Sequence, residues 1–323
     1  MSRIFQNIWM ILLCITLVSL PRFNRNQIWL KRPQADLPIH TAMVDYFRTG
    51  TVDEILLSEH SVAANWRPLF PLIASFLPFT SLTSLSILGI LSLFFTAILL
   101  LQIMNQLGIS DKVKWKSIYL FIFSFPAFYY TTIGYVDPGL ILFITFGLYL
   151  ALIGKFFFFL IIIATGVLMK EGIIVLIPFF LAHLVSIGTQ RWQLIYWGLL
   201  CTGIYISITI LGRYLALNAA QEHHLFWQPS IKMFIYNLTR PNSWLSIILT
   251  LGFPGGIIIK RFSSLKQISQ SSKNVMPLIC GILAALATYL FAFISTVADG
   301  RTIWAAYPFL IPLTGLVLDL EKE

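Results

Sequence analysis

Apolar stretches close to the length of a membrane span recur from the first residues of this chain to the last, separated by isolated charges, prolines and glycines. Breaking the sequence at those points gives about ten segments, 5–20, 82–107, 117–134, 138–154, 156–169, 172–188, 193–215, 244–259, 275–296 and 302–318. A spanning helix needs about 20 apolar residues, so the shorter segments must tilt, thin the bilayer or shelter behind neighbours. Only 11% of the 323 residues are charged, against about 25% in a soluble domain. A water-facing surface cannot be assembled from that supply. The expected fold is therefore all-α: a polytopic transmembrane helix bundle of about ten spans, forming a single integral membrane domain over residues 1–323.

The net charge of +9 is carried by basic residues scattered singly between apolar runs. No basic stripe forms, so no nucleic-acid partner is expected, and the cations are better suited to orientation and to anionic membrane lipids. Cys14, Cys201 and Cys280 lie far apart within apolar runs and read as packing residues. Phe5 to Leu20 follows Arg3 as a secretory leader would, but Leu20-Pro21-Arg22 is not a small-x-small cleavage site, and an uncleaved first span is expected.

Lysine and arginine in short loops set orientation. Lys112, Lys114 and Lys116 occupy one loop, Lys155 and Arg191 two more, and Lys260, Arg261, Lys266 and Lys273 a fourth. With the N-terminus cytoplasmic, ten spans place all four loops inside. The first outer loop is then 21–66 and the second long outer loop 216–243. Residues 67–80 are apolar but carry Pro68, Pro71 and Pro78, and are read as interfacial or re-entrant. Within the first outer loop Ile39, Met43, Tyr46 and Phe47 recur at helical spacing up to Gly50, which predicts an amphipathic interfacial helix.

The same count puts Asp36, Asp137, Lys170, Glu171, Asp299 and Arg301 at the outer apolar boundary. Ionisable groups at that depth are costly and are functional candidates by default. Each also has a purely structural explanation. Asp36 and Asp137 precede helical segments as capping carboxylates do, with Pro138 suited to a first turn. Trp66 and Arg67 fit as interfacial anchors. Lys170 and Glu171 interrupt an apolar run and can pair with different neighbours or serve as a purely structural ion pair, or Lys170 can bind phosphate as a point charge. Arg301 can clamp a phosphate bidentately or anchor a helix end. Walker A, GxSxG, HExxH and CxxC patterns are absent. His223 and His224 are adjacent rather than one helical turn apart, and Asn237-Leu238-Thr239 is a glycosylation acceptor pattern.

In order and spacing these pieces resemble the GT-C superfamily of polytopic, lipid-dependent glycosyltransferases, especially the bacterial mannosyl- and aminoarabinosyl-transferases. The resembling features are Asp36 with Gly50 fourteen residues later, Arg67-Pro68-Leu69-Phe70-Pro71, Tyr135-Val136-Asp137-Pro138, Met169-Lys170-Glu171-Gly172, and Arg301 before Tyr307-Pro308. Family members often carry Asp-Glu or Asp-Asp in the first loop, whereas Leu37 and Pro38 follow Asp36 here. The resemblance implies a polyprenyl-phosphate-sugar donor and a lipid or glycan acceptor, met on the outer face of a bacterial plasma membrane. It implies Asp36 and Asp137 as catalytic residues, and as the ligands of a divalent metal if one is used. Lys170, Glu171, Arg301, His40 and Arg67 would contact substrate or phosphate. A flippase or transporter of a lipid-linked sugar, a polysaccharide polymerase or ligase, and a structural subunit are the competing classes.

Overall fold

The structure, a computed structural model, describes residues 3–24, 37–58, 65–216, 229–261 and 273–320. Among the described residues every regular element is helical. In chain order these are α1 (Arg3–Asn24), α2 (Leu37–Thr49), α3 (Leu69–Ser75), α4 (Ser81–Gln106), α5 (Asp111–Ile122), α6 (Phe125–Tyr130), α7 (Asp137–Leu152) and α8 (Phe156–Met169). They continue with α9 (Leu176–Ser186), α10 (Arg191–Tyr214), α11 (Ile231–Thr239), α12 (Pro241–Lys260), α13 (Val275–Ser295), α14 (Gly300–Ile303) and α15 (Tyr307–Asp319). Short 3-10 turns at Glu54–Leu57, Glu171–Val175 and Trp304–Ala306 complete the path.

Among the described residues five stretches are long and apolar enough to cross a bilayer: Ser81–Gln106, Arg191–Leu215, Pro241–Lys260, Val275–Ser295 and Gly300–Asp319. Ile8–Asn24, Asp137–Leu152, Phe156–Met169 and Glu171–Ser186 are shorter apolar helices. The chain is thus a membrane protein, helical throughout its described residues. Its outside is built accordingly: Trp192, Leu199 and Ile210 on α10 and Ile248, Phe253 and Ile259 on α12 are exposed where a soluble protein would place charge. Inward, hydroxyls are satisfied without another helix. Thr96, Thr145 and Thr314 donate to the carbonyls of Ser92, Ile141 and Leu310, one turn back, at 2.7, 2.7 and 2.8 Å.

The centre of the bundle is α7, packed against α4, α8 and α9, with α13 and α15 closing over α9 and α5. Close approach is bought with glycine at a few positions. A Cβ on Gly89 would lie 2.3 Å from the Thr131 carbonyl oxygen, so α4 can only meet the turn before α7 without one. Helix direction divides the charges between two ends. Asp137 opens α7 and Lys170 follows α8, whereas Lys155 lies between these helices at their opposite ends. Arg301 and Asp319 stand at the two ends of Gly300–Asp319, and Asp319 accepts from the Ser110 amide at 3.0 Å beside Lys112 and Lys114. Lys112, Lys114 and Lys155 therefore stand at the opposite end from Asp137, Lys170 and Arg301.

The interfacial helix expected up to Gly50 is α2. Gly50 takes φ +74° and donates its amide to the Tyr46 carbonyl at 2.8 Å, the left-handed ending that glycine permits. Arg48 fixes α2 to the segment after it, donating to the carbonyls of Ser75 and Leu77 at 3.2 and 2.8 Å and to the hydroxyls of Ser81 and Ser84 at 3.2 and 3.0 Å. Residues 67–80 contain only the seven-residue α3. Two apolar segments expected to be continuous are interrupted. Segment 117–134 breaks where the Ser124 hydroxyl caps α6, accepting from the Ala127 amide, with Pro126 in its first turn. Segment 302–318 passes through the Trp304–Ala306 turn. The expected outer loop 216–243 contains α11.

Candidate functional site

Three helix ends build the charged cluster, and each is placed by a local device. Gly134 (φ +78°) turns the chain into α7, and a Cβ there would fall 2.2 Å from Leu37 Cδ1. Asp137 and Pro138 then form the first turn of α7. After α8 the backbone at Lys170 becomes extended (φ −172°, ψ 142°) before the 3-10 turn. Asp299 caps α14 by accepting from the Arg301 amide at 2.9 Å. Gly300 donates its amide to the Ser246 hydroxyl at 3.0 Å. A Cβ on Gly300 would meet the Ser246 carbonyl oxygen at 2.4 Å, so this glycine sets how closely α14 approaches α12 and where Arg301 sits.

Asp137 is the hub. Its side chain is 4% exposed; Oδ1 accepts from Lys170 Nζ at 2.5 Å, and Oδ2 lies 3.9 Å from Arg301 Nε. The Arg301 guanidinium also lies 4.0 Å from Asp299 Oδ1 and 4.2 Å above the Tyr135 ring. The Tyr130 hydroxyl bonds to the Ser246 side chain within electrostatic reach of Asp299 and Arg301.

A second pair adjoins the first. Arg67 grips Glu171 with two bonds, Nε to Oε2 at 2.8 Å and Nη2 to Oε1 at 3.1 Å, the bidentate geometry that only arginine offers. The Arg67 charge acts on both Asp137 and Lys170. The Tyr205 hydroxyl donates to the Glu171 carbonyl at 3.2 Å, and Tyr205 senses Glu171, Arg213 and Arg67. The Arg213 guanidinium rests 4.3 Å above the Trp66 ring. Four cations (Arg67, Lys170, Arg213 and Arg301) thus meet three carboxylates (Asp137, Glu171 and Asp299) in a charge network where α7, α8, α10 and α14 converge.

Of the residues singled out from sequence, the structure joins Asp137, Lys170, Glu171, Arg67 and Arg301. Asp36 lies outside the described residues, as do His223 and His224. His40 is buried within α2 at 3% exposure and is not among the groups acting most strongly on Asp137 or Lys170. Tyr205 carries no weight in the sequence reading and Tyr135 enters it only within Tyr135-Val136-Asp137-Pro138; the signal for these and for Arg213 is an aromatic or basic residue near an apolar boundary. Asn237 is fully buried. Its amide donates to the carbonyls of Phe293 and Thr296 at 2.8 and 2.6 Å, and its oxygen accepts from the Ala298 amide at 3.1 Å, so it locks α11 to the end of α13 and is closed to a glycosylating enzyme.

A divalent ion does not suit Asp137 as it stands here, because both carboxylate oxygens already face cations and the added ion would meet Lys170 and Arg301 within 4 Å. Among the described residues no three His, Cys, Asp or Glu side chains, the three carboxylates of the network included, lie close enough together to hold one metal ion. No family model, curated protein or solved structure matches the chain, so the charged cluster itself is the evidence for what this membrane protein does.

Proposed function

We propose that the chain is a ten-pass glycosyltransferase of the GT-C type, moving a sugar from a polyprenyl-phosphate carrier to a lipid or glycan acceptor. In this reading the spans are α1, α4, α5 with α6, α7, α8, α9, α10, α12, α13 and α14 with α15. The basic loops face the cytoplasm together with the N-terminus, the cluster faces outward, and the membrane is a bacterial plasma membrane. The observation that carries the proposal is the convergence of four cations and three carboxylates at one end of an otherwise apolar bundle. Such a collection is costly to maintain at a membrane boundary and is suited to an anion presented from the lipid phase.

The chemistry follows from that geometry. An acceptor hydroxyl oxygen forms a bond to the anomeric carbon, the bond from that carbon to the phosphate oxygen breaks, and the lipid phosphate leaves with the electron pair. The acceptor proton passes to a carboxylate, a role the sequence resemblance gives to Asp36. Negative charge gathers on the departing phosphate, and preorganised cations at that point stabilise the transition state more than the ground state. Arg301 and Arg213 suit this best. Each guanidinium lies over an aromatic ring at the cluster, Arg301 on Tyr135 and Arg213 on Trp66, and a planar guanidinium can hold two phosphate oxygens at once. Asp137 then positions Lys170 and Arg301 and does not act as the base.

The test is transfer of labelled sugar from a polyprenyl-phosphate donor by the purified protein in proteoliposomes. Transfer is expected, lost on Asp36→Asn and reduced at least tenfold by Arg301→Gln. An intact donor that nevertheless crosses the bilayer would replace the proposal with a transporter; neither transfer nor translocation would refute both.

A further inference from the structure

A second charged feature lies apart from this cluster, at the end of α1. The buried stripe of that helix runs Ile11, Ile15, Ser19 and Arg22, each no more than 3% exposed, while Trp9, Met10, Leu13, Leu17 and Leu20 on the opposite side are exposed. The spacing keeps all four on one helical face. A membrane helix that points isoleucine into its bundle for two turns therefore changes, in its last turns, to a hydroxyl and a guanidinium. Neither finds a polar partner. Arg22 Nε and Nη2 and Ser19 Oγ are all buried without a hydrogen bond. The guanidinium lies 4.0 Å above the Tyr129 ring, and the Ser19 carbonyl accepts from the Thr132 hydroxyl at 3.4 Å. No carboxylate among the described residues pairs with Arg22, and it is not among the charges acting most strongly on Asp137 or Lys170.

This arrangement is unstable as a purely structural one. An aromatic face and the carbonyl end of a helix attract a cation without supplying the acceptors that its N–H groups lose on burial. Buried charges are retained where they are paired, or where they bind something. We propose that Arg22 and Ser19 form a site for a phosphate-bearing anion at the membrane boundary, separate from the Asp137 cluster and independent of its reaction. Arg22 Nε–H and Nη2–H form the fork that two phosphate oxygens accept bidentately, and the Ser19 hydroxyl, one turn earlier on the same face, donates a third bond. A phospholipid headgroup and free phosphate share this chemistry.

The test is thermal unfolding of the full chain in an uncharged detergent, titrated separately with phosphatidylglycerol, with inorganic phosphate and with a phosphate-free monoacylglycerol. Wild-type protein is expected to gain stability with phosphatidylglycerol and not with the monoacylglycerol. Arg22→Gln is expected to raise the half-saturating concentration at least tenfold, and Ser19→Ala to raise it by a smaller factor. Stabilisation by inorganic phosphate that Arg22→Gln also loses would uphold the site and identify free phosphate as its source. Equal half-saturation in wild type and Arg22→Gln, or no response to either phosphate source, would overturn it. If Arg22→Gln does not fold, Arg22→Lys decides, because it keeps the charge but lacks the fork; an unchanged midpoint there and in Ser19→Ala would also overturn the proposal.

Discussion

Asp137→Asn separates a structural hub from a bystander. Asparagine preserves the size and shape of aspartate, so the substitution opens no cavity and tests the charge. Asp137 is 4% exposed and Lys170 17%, and their contact is 2.5 Å. Breaking a buried pair by removing one partner costs about 3–5 kcal/mol, because the remaining charge keeps its desolvation penalty and loses its compensation. Here the loss is compounded, since the Arg301 guanidinium, 3.9 Å from the other carboxylate oxygen, would then face Lys170 without a negative charge between them. The expected fall in unfolding temperature is roughly 5–15 °C, read by tryptophan fluorescence in detergent. The second half of a double-mutant cycle makes the reasoning refutable. Replacing Lys170 as well, in Asp137→Asn/Lys170→Met, removes the stranded cation and should recover about 1–3 kcal/mol relative to the single variant. A single variant that melts with the wild type, or a double variant no more stable than Asp137→Asn, would show that the pair does not hold these helices together.

Glu171→Gln should cost less, about 1–2 kcal/mol by the same melting assay, because its bond to Arg67 is bidentate but more exposed, at 25% and 15% for the two side chains. Gly300→Ala should destabilise by about 1–3 kcal/mol and lower sugar transfer in the proteoliposome assay, since its Cβ would stand 2.2 Å from Thr250 Oγ1 and force α14, with Arg301, away from α12. Arg48→Ala should cost about 2–3 kcal/mol and expose the chain to limited proteolysis between α3 and α4, where it now joins the Ser75 and Leu77 carbonyls and the Ser81 and Ser84 hydroxyls. Expression in a glycosylating host should add no mass at Asn237, which is fully buried with its amide group fully engaged.

The helices most legible from sequence are those whose whole circumference can tolerate lipid or core. The segment read as 82–107 is observed as Ser81–Gln106, and 275–296 as Val275–Ser295. Both are uninterrupted apolar runs, the first opened by the Thr80 side-chain cap and followed by Gly108 at φ +74°. Hydropathy is blind to a bend that keeps its polar groups satisfied internally. The run through Phe121-Ile122-Phe123-Ser124-Phe125-Pro126 stays apolar across the break, and only a serine cap and a proline signal that a new helix begins. α11 fails for the opposite reason. Ile231, Phe234, Ile235 and Leu238 form a helical apolar face, yet that face is exposed, at 79, 42, 53 and 49%, while polar Asn237 is turned inward. In water this would be inside out. Against hydrocarbon it is the stable orientation, because the buried amide is satisfied by three backbone groups and the outer residues need no partners.

The site was legible as a collection of residues but not as a set of pairs. Asp137, Lys170, Glu171, Arg67 and Arg301 could each be picked out because an ionisable group inside an apolar sequence is conspicuous. The capping role expected of Asp137 does not hold, since it is the first residue of α7 and Val136 is the N-cap with no side-chain cap bond, whereas Asp299 does cap α14. What composition cannot reveal is which charge answers which. Lys170 and Glu171 are neighbours of opposite sign, yet they do not pair. The extended backbone at Lys170 directs successive side chains to opposite sides, so Lys170 reaches Asp137, 33 positions earlier, and Glu171 reaches Arg67, 104 positions earlier. That one departure from helical geometry converts what would have been a local ion pair into two long-range ties, binding α8 to α7 and to the segment before α3. Arg301 and Arg213 stand beside these ties, 4.2 and 4.3 Å above the Tyr135 and Trp66 rings, where the proposed phosphate would meet two planar guanidinium groups.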